Sequence, residues 1–247
     1  MTFKTLDNLH GQTAVITGAN GGIGFATAMA LAHAGATIVG ICHRRREELQ
    51  HRLDQLPGKH IALLADVTDS DSLIRAADQI PQCDILVTSA GYSKPIPHGN
   101  LDALTDELFD DILIANLRSV FATVKAFVPL LKQSNNALIV NVSSASAVNP
   151  GHGSNIAYVS AKAGVEAMTK NLALALAPTI RVVSVCPSAI NTGFLDMPVE
   201  FYQRSGEATP LKRVGVPEDI ASAIEAIATK IRFTTGNSFV IDGGRFL

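Results

Sequence analysis

The sequence is short of cysteine and of net charge, and both shortages narrow the class of protein. Three cysteines occur in 247 residues, Cys42, Cys83 and Cys186, and each lies within or beside an apolar run. An odd number at unrelated spacings predicts no disulfide framework, and no histidine or cysteine cluster has the spacing of a zinc site. We therefore expect reduced core thiols in a cytoplasmic protein without a metal site.

An excess of charge of either sign is also missing. Twenty lysines and arginines against 22 acidic residues leave a formal charge of −2, which favours neither nucleic acid nor an anionic membrane surface. Residues 1–7 lack the basic start and apolar stretch of a secretory signal, and no apolar run approaches the roughly 18 uncharged residues of a membrane span. The sequence predicts no nucleic-acid or membrane partner.

Apolar segments alternate with helical ones along the chain. Hydrophobic residues make up 47% of the composition against 17% charged, which suits one α/β domain, residues 1–247, with one large core. Strands are predicted at residues 13–17, 37–42, 61–64, 84–88, 137–142, 182–186 and 238–241. Helices are predicted at residues 23–33, 44–56, 106–132, 156–176 and 217–230, with one more after a cap at Thr68 or Asp69. The alternation predicts a doubly wound parallel sheet of the Rossmann type, with about seven strands and helices on both faces.

A glycine-rich turn joins the first predicted strand to the first predicted helix. It spans residues 17–24 and contains Gly18, Gly22 and Gly24. At such a junction a dinucleotide pyrophosphate meets backbone N–H groups and the positive end of the helix. The spacing differs from G-x-G-x-x-G, so a simple turn is the alternative interpretation.

Tyr158 and Lys162 are four residues apart in a segment of helical character, so both side chains lie on one face. A nearby ammonium favours the phenolate and lowers the pKa of a tyrosine from about 10, which would let Tyr158 exchange a proton with a substrate oxygen. A pair at this spacing also arises by chance. Its weight therefore depends on the rest of the chain.

Polar residues follow other predicted strands at the edge that carries the glycine turn. Ser143 and Ser144 come directly after strand 137–142, where a hydroxyl can hydrogen-bond a substrate carbonyl or simply belong to a turn. Asp66 follows the third strand and is either a cofactor contact or a helix cap. No serine has the G-x-S-x-G context of a hydrolase.

Over nearly its whole length the chain resembles the short-chain dehydrogenase/reductase family, in the compact branch of carbonyl and 3-oxoacyl reductases. The motifs that carry the resemblance occur in the family's order: Thr17-Gly18 with Gly22 and Gly24, Asp66 with Val67, Ala90-Gly91, Asn116, Ser144, Tyr158 with Lys162, Pro187 with Thr192, and Asp242-Gly243-Gly244. Several matches in order are highly specific, although each match alone is weak.

The resemblance implies hydride transfer between a nicotinamide cofactor and a carbonyl or secondary alcohol. Tyr158 would be the general acid or base, and Lys162 would bind the nicotinamide ribose and lower the Tyr158 pKa. Ser144 would orient the carbonyl, since the family places the catalytic hydroxyl second in the pair with Ser143. Asn116 would hold a water that relays protons to Lys162.

The resemblance also implies a set of cofactor contacts. Besides Tyr158 and Lys162, these are Gly18, Asn20, Gly22, Ile23, Gly24, Asp66, Val67, Ala90, Gly91, Pro187, Ile190 and Thr192. Asp66 would contact the adenine, and Ile190 and Thr192 would contact the nicotinamide carboxamide.

The sequence departs from the family pattern at three places. Thr88-Ser89 replaces the usual Asn-Asn before Ala90, so the contacts that brace the central strand are expected to change. Ser188 replaces a glycine after Pro187, which makes the backbone less permissive. The segment from Ser144 to Tyr158 is about one residue longer than usual, which would reshape the substrate mouth.

The end of the second strand indicates which nicotinamide cofactor is used. NAD-dependent relatives carry an acidic residue there, whereas this chain has Cys42 followed by His43 and Arg44, which offer basic groups for a 2′-phosphate. This predicts NADP(H), with NAD(H) as the alternative. Gly21 argues the other way, because many NADP-dependent relatives carry Arg or Lys there. The three arginines at 44–46 also suit a solvated helix start.

The substrate and the assembly are least determined by the sequence. Residues 191–214 form the least regular stretch, and a stretch of this length is usually functional or partly helical. We expect Phe194, Leu195, Met197 and Tyr202 to form a mobile lid or, alternatively, a subunit interface, and Asn149, His152 and Asn155 to lie near the mouth. A moderately apolar ketone or an acyl β-ketone is the expected small-molecule substrate, and reduction the expected direction. By resemblance, the helix after Pro217 and strand 238–241 would be contacts of a homotetramer.

Three rival functions fit the same fold less well. A non-catalytic NADP-binding regulator is the main alternative, but such proteins typically lose the tyrosine or lysine, and this chain keeps both with Asn116 and Ser144. A structural or partner-binding protein would have no reason to keep these groups. The Tyr-Lys helix argues against a Rossmann methyltransferase.

Overall fold

Seven strands form one parallel sheet, which agrees with the predicted fold class. The structure is a computed structural model that describes residues 8–150, 153–195 and 197–247. The strands are β1 (Thr13–Thr17), β2 (Thr37–Cys42), β3 (Ile61–Leu64), β4 (Ile85–Thr88), β5 (Ala137–Val142), β6 (Ile180–Pro187) and β7 (Ser238–Ile241). Their order in the sheet is β3-β2-β1-β4-β5-β6-β7. Chain order reverses between β1 and β4, and a crevice at such a switch point is where α/β sheets bind ligands.

Helices connect the strands. They are α1 (Gly22–His33), α2 (Arg46–Leu53), α3 (Ser70–Ala77), α4 (Asp106–Leu113), α5 (Ser119–Leu131), α6 (Ala145–Val148), α7 (Ile156–Leu176), α8 (Val199–Ala208) and α9 (Pro217–Thr229). The observed α2 is shorter than the predicted helix 44–56 at both ends. It begins late because Arg45 has a left-handed backbone with φ of 59°. Asp69, rather than Thr68, caps α3, since its side chain accepts the Asp71 N–H. The irregular stretch 191–214 contains α8.

Both faces of the sheet are buried, and β1 shows how. Ala14 and Ile16 pack in one core cluster with residues of α1 and α9, whereas Val15 packs on the opposite face with residues of α3 and α5. Successive side chains of a strand point to opposite faces, so a strand covered on both sides is apolar throughout. This is why the strands could be predicted as continuous apolar runs. The three cysteines are unpaired and buried, as expected.

The predicted helix 106–132 is interrupted. One π-helical turn, Ile114–Arg118, joins α4 to α5. Within it the Asn116 Nδ2 donates to the Ile112 carbonyl at 2.9 Å, so a side chain occupies an acceptor one turn back along the helix. Insertions of this kind into the hydrogen-bond ladder produce π-bulges, frequently at functional sites.

The same stretch is long and apolar enough to be compared with a membrane span. Asp106–Leu131 spans 26 residues and is long and apolar enough to cross a membrane by length and composition. Arg118 and Lys125 interrupt it, so it contains no run of about 18 uncharged residues, in agreement with the sequence expectation. Phe127 and Leu131 are fully buried in the core cluster beside α3, which is how a core helix of a globular protein packs.

A buried hydrogen-bond chain braces the central strands where the sequence departs from the family. The Thr88 Oγ1 donates to the Asn141 Oδ1 at 2.8 Å, and the Asn141 Nδ2 donates to the Thr169 Oγ1 at 2.9 Å. These two hydrogen bonds therefore join β4, β5 and α7 behind the carboxyl edge of the sheet. Nearby, the Thr17 hydroxyl accepts the N–H groups of Ser89 and Ala90, which ties the end of β1 to the loop after β4.

Replacement of Thr88 by Val should destabilise the fold. It would leave the buried Asn141 Oδ1 without its donor, so we expect the free energy of unfolding to fall by about 1–3 kcal/mol in urea titrations. Thr27→Val is the matched control, because the buried Thr27 hydroxyl has no hydrogen-bond partner in the described part of the chain. That control should leave stability unchanged or raised. Equal losses of unfolding free energy in both variants would contradict the stabilising role of these hydrogen bonds.

Candidate active site

A cavity of about 880 Å³ opens at the carboxyl edge of the sheet. Segments that follow four strands line it: residues 18 and 20–24 after β1, 89–91 after β4, 143–144 after β5, and 188–190 with 192 after β6. Lys162 and Tyr158 reach it from α7, and Asn116 reaches it from the π-helical turn. The four predicted catalytic residues and most of the predicted cofactor contacts are thus brought together in one space.

The glycine turn leaves room for backbone to approach backbone. Gly18 has a φ of +68°, and a Cβ placed on it would lie 2.8 Å from both the Cα and the N of Ala90. A Cβ on Gly22 would lie 2.9 Å from the Thr192 Cβ. α1 begins here without a side-chain cap, so its first N–H groups are available to an anion. The turn therefore fits the pyrophosphate of a dinucleotide.

Asn20 ties the glycine turn to the segment after β2. Its Nδ2 donates to the carbonyl oxygens of Arg44 and Arg45, each at 3.2 Å. An Arg52 nitrogen donates to the Asn20 carbonyl at 3.1 Å, and its guanidinium lies 3.6 Å from the centroid of the Phe25 ring. The Asn20 Oδ1 is buried without a hydrogen-bond partner among the described residues. Sequence reasoning had no signal for Arg52, because its role depends on packing against Phe25.

Four predicted cofactor contacts lie outside the walls of the cavity: His43, Arg44, Asp66 and Val67. The His43 Nε2 lies 3.6 Å from an Asp66 oxygen, and both side chains are exposed to solvent by more than a third. The other Asp66 oxygen accepts the Thr68 hydroxyl and N–H, and these hydrogen bonds lower the Asp66 pKa. Their contribution as cofactor contacts stays a prediction.

One arginine of the run at 44–46 lines the cavity. It is Arg45, whose left-handed backbone places it there and whose guanidinium forms an exposed ion pair with Glu48 at 3.1 Å. The Arg46 Nε donates instead to the Ala62 carbonyl at 2.8 Å. Sequence reasoning named Arg44 and missed Arg45. The left-handed backbone of Arg45 determines the turn before α2, and no sequence pattern predicts that conformation.

The two serines after β5 have different partners. The Ser143 Oγ donates to the Lys162 carbonyl oxygen at 3.3 Å, which fastens the end of β5 to α7. Ser144 caps α6, and its Oγ lies 2.8 Å from the Ser146 hydroxyl. Its side chain also acts to lower the pKa of Tyr158. Ser144 is therefore the serine beside the candidate acid, as the family order implied.

Burial controls the charge states of Tyr158 and Lys162. Burial raises the pKa of Tyr158 to about 12, and the hydrogen bond from Ser144 offsets this only in part. Burial lowers the pKa of Lys162 to about 8, and its Nζ donates to the Val142 carbonyl at 2.7 Å. Desolvation of the phenolate therefore dominates the Tyr158 pKa in this structure, and the expected lowering of that pKa by Lys162 stays a prediction. The Nζ is 5.7 Å from the centroid of the phenol ring.

Asn116 is fully buried, and its side chain binds backbone groups. The Nδ2 donates to the carbonyls of Tyr92 and Ile112, and the Oδ1 accepts the Tyr92 N–H at 3.3 Å. A Cβ on Gly91 would lie 2.6 Å from this oxygen, so glycine is needed there for the contact. The side chain holds the loop after β4 in place, and its part in a proton relay stays a prediction.

The outer part of the cavity is apolar and includes the predicted lid. Phe194, Leu195, Met197 and Tyr202 line it, and the Phe194 ring centroid lies 6.2 Å from that of Tyr158. Phe194 thus lies beside the candidate acid.

Asn149 and Asn155, two of the polar residues expected near the mouth of the cavity, do not line it. Asn149 is exposed and does not line the cavity, and His152 falls outside the described residues. Asn155 is fully buried, where its Oδ1 accepts the Tyr158 N–H at 2.8 Å and its Nδ2 donates to the Lys94 carbonyl at 2.7 Å. The prediction for Asn155 was wrong because the residue caps α7. It positions the helix that carries Tyr158.

The cavity has walls that sequence reasoning did not find. His98 lines it after β4, and its Nε2 is buried without a hydrogen-bond partner in the described part of the chain. Arg245 and Phe246 line it from the end of the chain, where Asp242 accepts the N–H groups of Gly244 and Phe246. The motif Asp242-Gly243-Gly244 was the one available signal for this wall.

Comparison with known proteins identifies the family. Residues 18–245 match a family model described as enoyl-(acyl carrier protein) reductase. The chain is 34% identical to the 3-oxoacyl-[acyl-carrier-protein] reductase of Thermotoga maritima, over 96% of this chain and 98% of that protein. It also resembles a short-chain dehydrogenase/reductase from Serratia marcescens, with a TM-score of 0.87 and 27% identity, over 97% of this chain and 99% of that one. It is also similar to the structure of an aldohexose dehydrogenase of Thermoplasma acidophilum, with a TM-score of 0.85 and 26% identity, over 98% of this chain and 96% of that one.

Fold, cavity and matches together define an oxidoreductase that acts on a CH–OH group or its carbonyl. The chain belongs to the short-chain dehydrogenase/reductase family, in the branch that resembles 3-oxoacyl reductases. Members of this family bind NAD(H) or NADP(H).

The contrast between the two serines predicts unequal effects of their removal. Ser144→Ala should lower kcat by about a hundredfold or more, since it removes the hydroxyl beside Tyr158. Ser143→Ala should cost far less turnover, because its hydroxyl is bonded to the Lys162 backbone. Steady-state kinetics of both variants, with circular dichroism as the check on folding, measure the difference. A larger loss of turnover in Ser143→Ala would contradict this assignment.

Proposed function

We propose that this enzyme reduces a ketone with NADPH, and that Tyr158 donates the proton to the carbonyl oxygen. The observation that carries the proposal is one arrangement: a buried tyrosine and Ser144 line the same cavity, which continues to a glycine turn without a side-chain cap. The bound nicotinamide would supply the hydride. The overall change is ketone plus NADPH plus a proton to alcohol plus NADP⁺.

The charge state of Tyr158 supports the reducing direction. With a pKa of about 12, the phenol stays protonated at neutral pH, so it can give a proton to an oxygen that gains negative charge. The Ser144 hydroxyl beside it would hold the carbonyl oxygen. In the reverse direction the phenol would first have to lose this proton.

We assign supporting roles to Lys162 and Asn116. Lys162 would bind the nicotinamide ribose, and an ammonium near the phenol would stabilise the phenolate left after proton transfer. Asn116 would complete proton resupply from solvent, while its side chain keeps the loop after β4 in position.

The cofactor contacts follow the edge of the sheet. Gly18, Asn20, Gly22, Ile23 and Gly24 would hold the pyrophosphate. Ala90, Gly91, Pro187, Ile190 and Thr192 would surround the nicotinamide half, and Asp66 with Val67 the adenine.

We propose NADP(H) over NAD(H) on the chemistry at the end of β2. The buried Cys42 thiol, directed to the Leu63 carbonyl, stands where NAD-dependent relatives carry an acid. His43, Arg44 and Arg45 would meet the 2′-phosphate.

The apolar outer cavity supports a moderately apolar ketone or a 3-oxoacyl thioester as substrate. A relative is named as a 3-oxoacyl-[acyl-carrier-protein] reductase, and Phe194, Leu195 and Met197 offer an apolar surface beside Tyr158. We further propose a cytoplasmic homotetramer, with α9 and β7 as subunit contacts.

A substrate panel tests the proposed function. Purified enzyme is given NADPH or NADH with 3-oxoacyl thioesters, simple ketones, diketones and sugars, and oxidation of the cofactor is followed by absorbance. We expect the highest kcat/KM with NADPH and a 3-oxoacyl thioester or apolar ketone. Cofactor binding without turnover of any compound would favour the regulator instead, and a preference for NADH would overturn the cofactor assignment.

The two neighbouring arginines give a sharper test of cofactor choice. Arg45→Ala should raise the KM for NADPH about tenfold or more and leave the KM for NADH nearly unchanged, because a charged hydrogen bond to phosphate is lost. Arg46→Ala is the matched control, since that side chain is directed to the Ala62 carbonyl. Equal effects of Arg45→Ala on both cofactors would count against a contact with the 2′-phosphate.

A further inference from the structure

Glu166 lies one helical turn after Lys162 on α7 and accepts hydrogen bonds from three side chains. The Ser184 Oγ donates to its Oε2 at 2.9 Å, and the Ser238 Oγ makes a short contact to the same oxygen. The Cys186 Sγ lies 3.4 Å from its Oε1. Ser184 and Cys186 belong to β6 and Ser238 to β7, so this one carboxylate connects α7 to both strands.

Three donors converge on the two carboxylate oxygens of Glu166. A carboxylate is an acceptor at both oxygens, so it can accept from all three of these side chains. The thiol stays a donor, because burial and the neighbouring Glu166 raise the pKa of Cys186 to about 12. The cluster therefore holds a fixed negative charge beside the catalytic helix.

Glu166 lies four residues from Lys162 on α7, so the two side chains share a helix face, and burial disfavours the charged form of the lysine. The titratable groups around the Lys162 ammonium are Tyr158 and Glu166 on α7 and Cys186 on β6. Tyr158 and Cys186 are protonated at neutral pH, so Glu166 supplies the negative charge of this set. Burial lowers the pKa of Lys162 to about 8. Cys186 and Glu166 act against burial, but Cys186 does so only as a thiolate, so Glu166 is the one of the two that acts at neutral pH.

We propose that Glu166 is a positioning residue that keeps Lys162 in its ammonium form and holds α7 on β6 and β7. The inference rests on the proposed function, because it assigns Glu166 the maintenance of a charge that the reaction requires from Lys162. Glu166 itself does not line the cavity, so it acts through Lys162.

Glu166→Gln tests the proposal through the pH profile of ketone reduction. Glutamine keeps the shape and one acceptor oxygen, and the serine hydroxyls can rotate to accept from its amide. Loss of the charge should lower the alkaline pKa of kcat/KM by about 1, so activity at about pH 8.5 relative to about pH 6.5 should fall about sixfold more than in the unaltered enzyme. Glu218→Gln, an exposed change of the same charge on α9, should leave the profile unchanged.

A second measurement separates this inference from the proposed function. Nuclear magnetic resonance of protein labelled at the lysine ε-carbon, with Lys162→Met to assign the signal, reports the Lys162 pKa whether or not any ketone is reduced. We expect a lower pKa in Glu166→Gln than in the unaltered enzyme. The same lysine pKa in both proteins would overturn the role of Glu166, whereas a lowered pKa in an enzyme that reduces no ketone would contradict the proposed function alone.

Discussion

Lys162 carries a charge yet is almost completely buried, and the Val142 carbonyl at 2.7 Å is the hydrogen-bond acceptor that its Nζ reaches. Burying an ammonium without partners would cost several kcal/mol, so this contact constrains how α7 meets the end of β5. The Ser143 hydroxyl reinforces the same junction through the Lys162 carbonyl. With α7 fixed there, Tyr158 lies one turn earlier and beside Ser144. The reacting geometry therefore follows from how one lysine is accommodated.

Burial also decides the chemistry that this junction supports. Desolvation disfavours both the phenolate of Tyr158 and the ammonium of Lys162, which moves their pKa values in opposite directions, to about 12 and about 8. A protonated phenol and a lysine that titrates close to neutral pH suit proton donation to a carbonyl oxygen. The carboxylate of Glu166 is hydrogen-bonded to side chains of β6 and β7. Its negative charge favours the charged form of Lys162.

Much of the fold could be predicted from the sequence because its signals are local. Strands buried on both faces appear as continuous apolar runs, and α7 was predicted with its observed bounds, Ile156–Leu176. The π-helical turn was not predicted, because the hydrogen bond of the Asn116 side chain to the Ile112 carbonyl leaves no trace in hydrophobic periodicity. The left-handed Arg45 is likewise set by the turn before α2 and by the bonds from Asn20, which no periodicity reports.

The candidate site likewise combines residues that sequence spacing could place with residues that it could not. The glycine turn, the serine pair and the Tyr-Lys pair follow strand ends or share a helix face, so sequence spacing could place them together. His98 and Arg245 come from loops whose approach depends on tertiary packing, and the Tyr158 pKa depends on burial that spacing does not describe.

The central claim, that Tyr158 donates the proton, is tested most directly by Tyr158→Phe, which removes the hydroxyl and keeps the ring. We expect the Kd for NADPH, measured by fluorescence, to stay close to that of the unaltered enzyme, while kcat for ketone reduction falls about a hundredfold or more. A kcat near that of the unaltered enzyme would contradict the account.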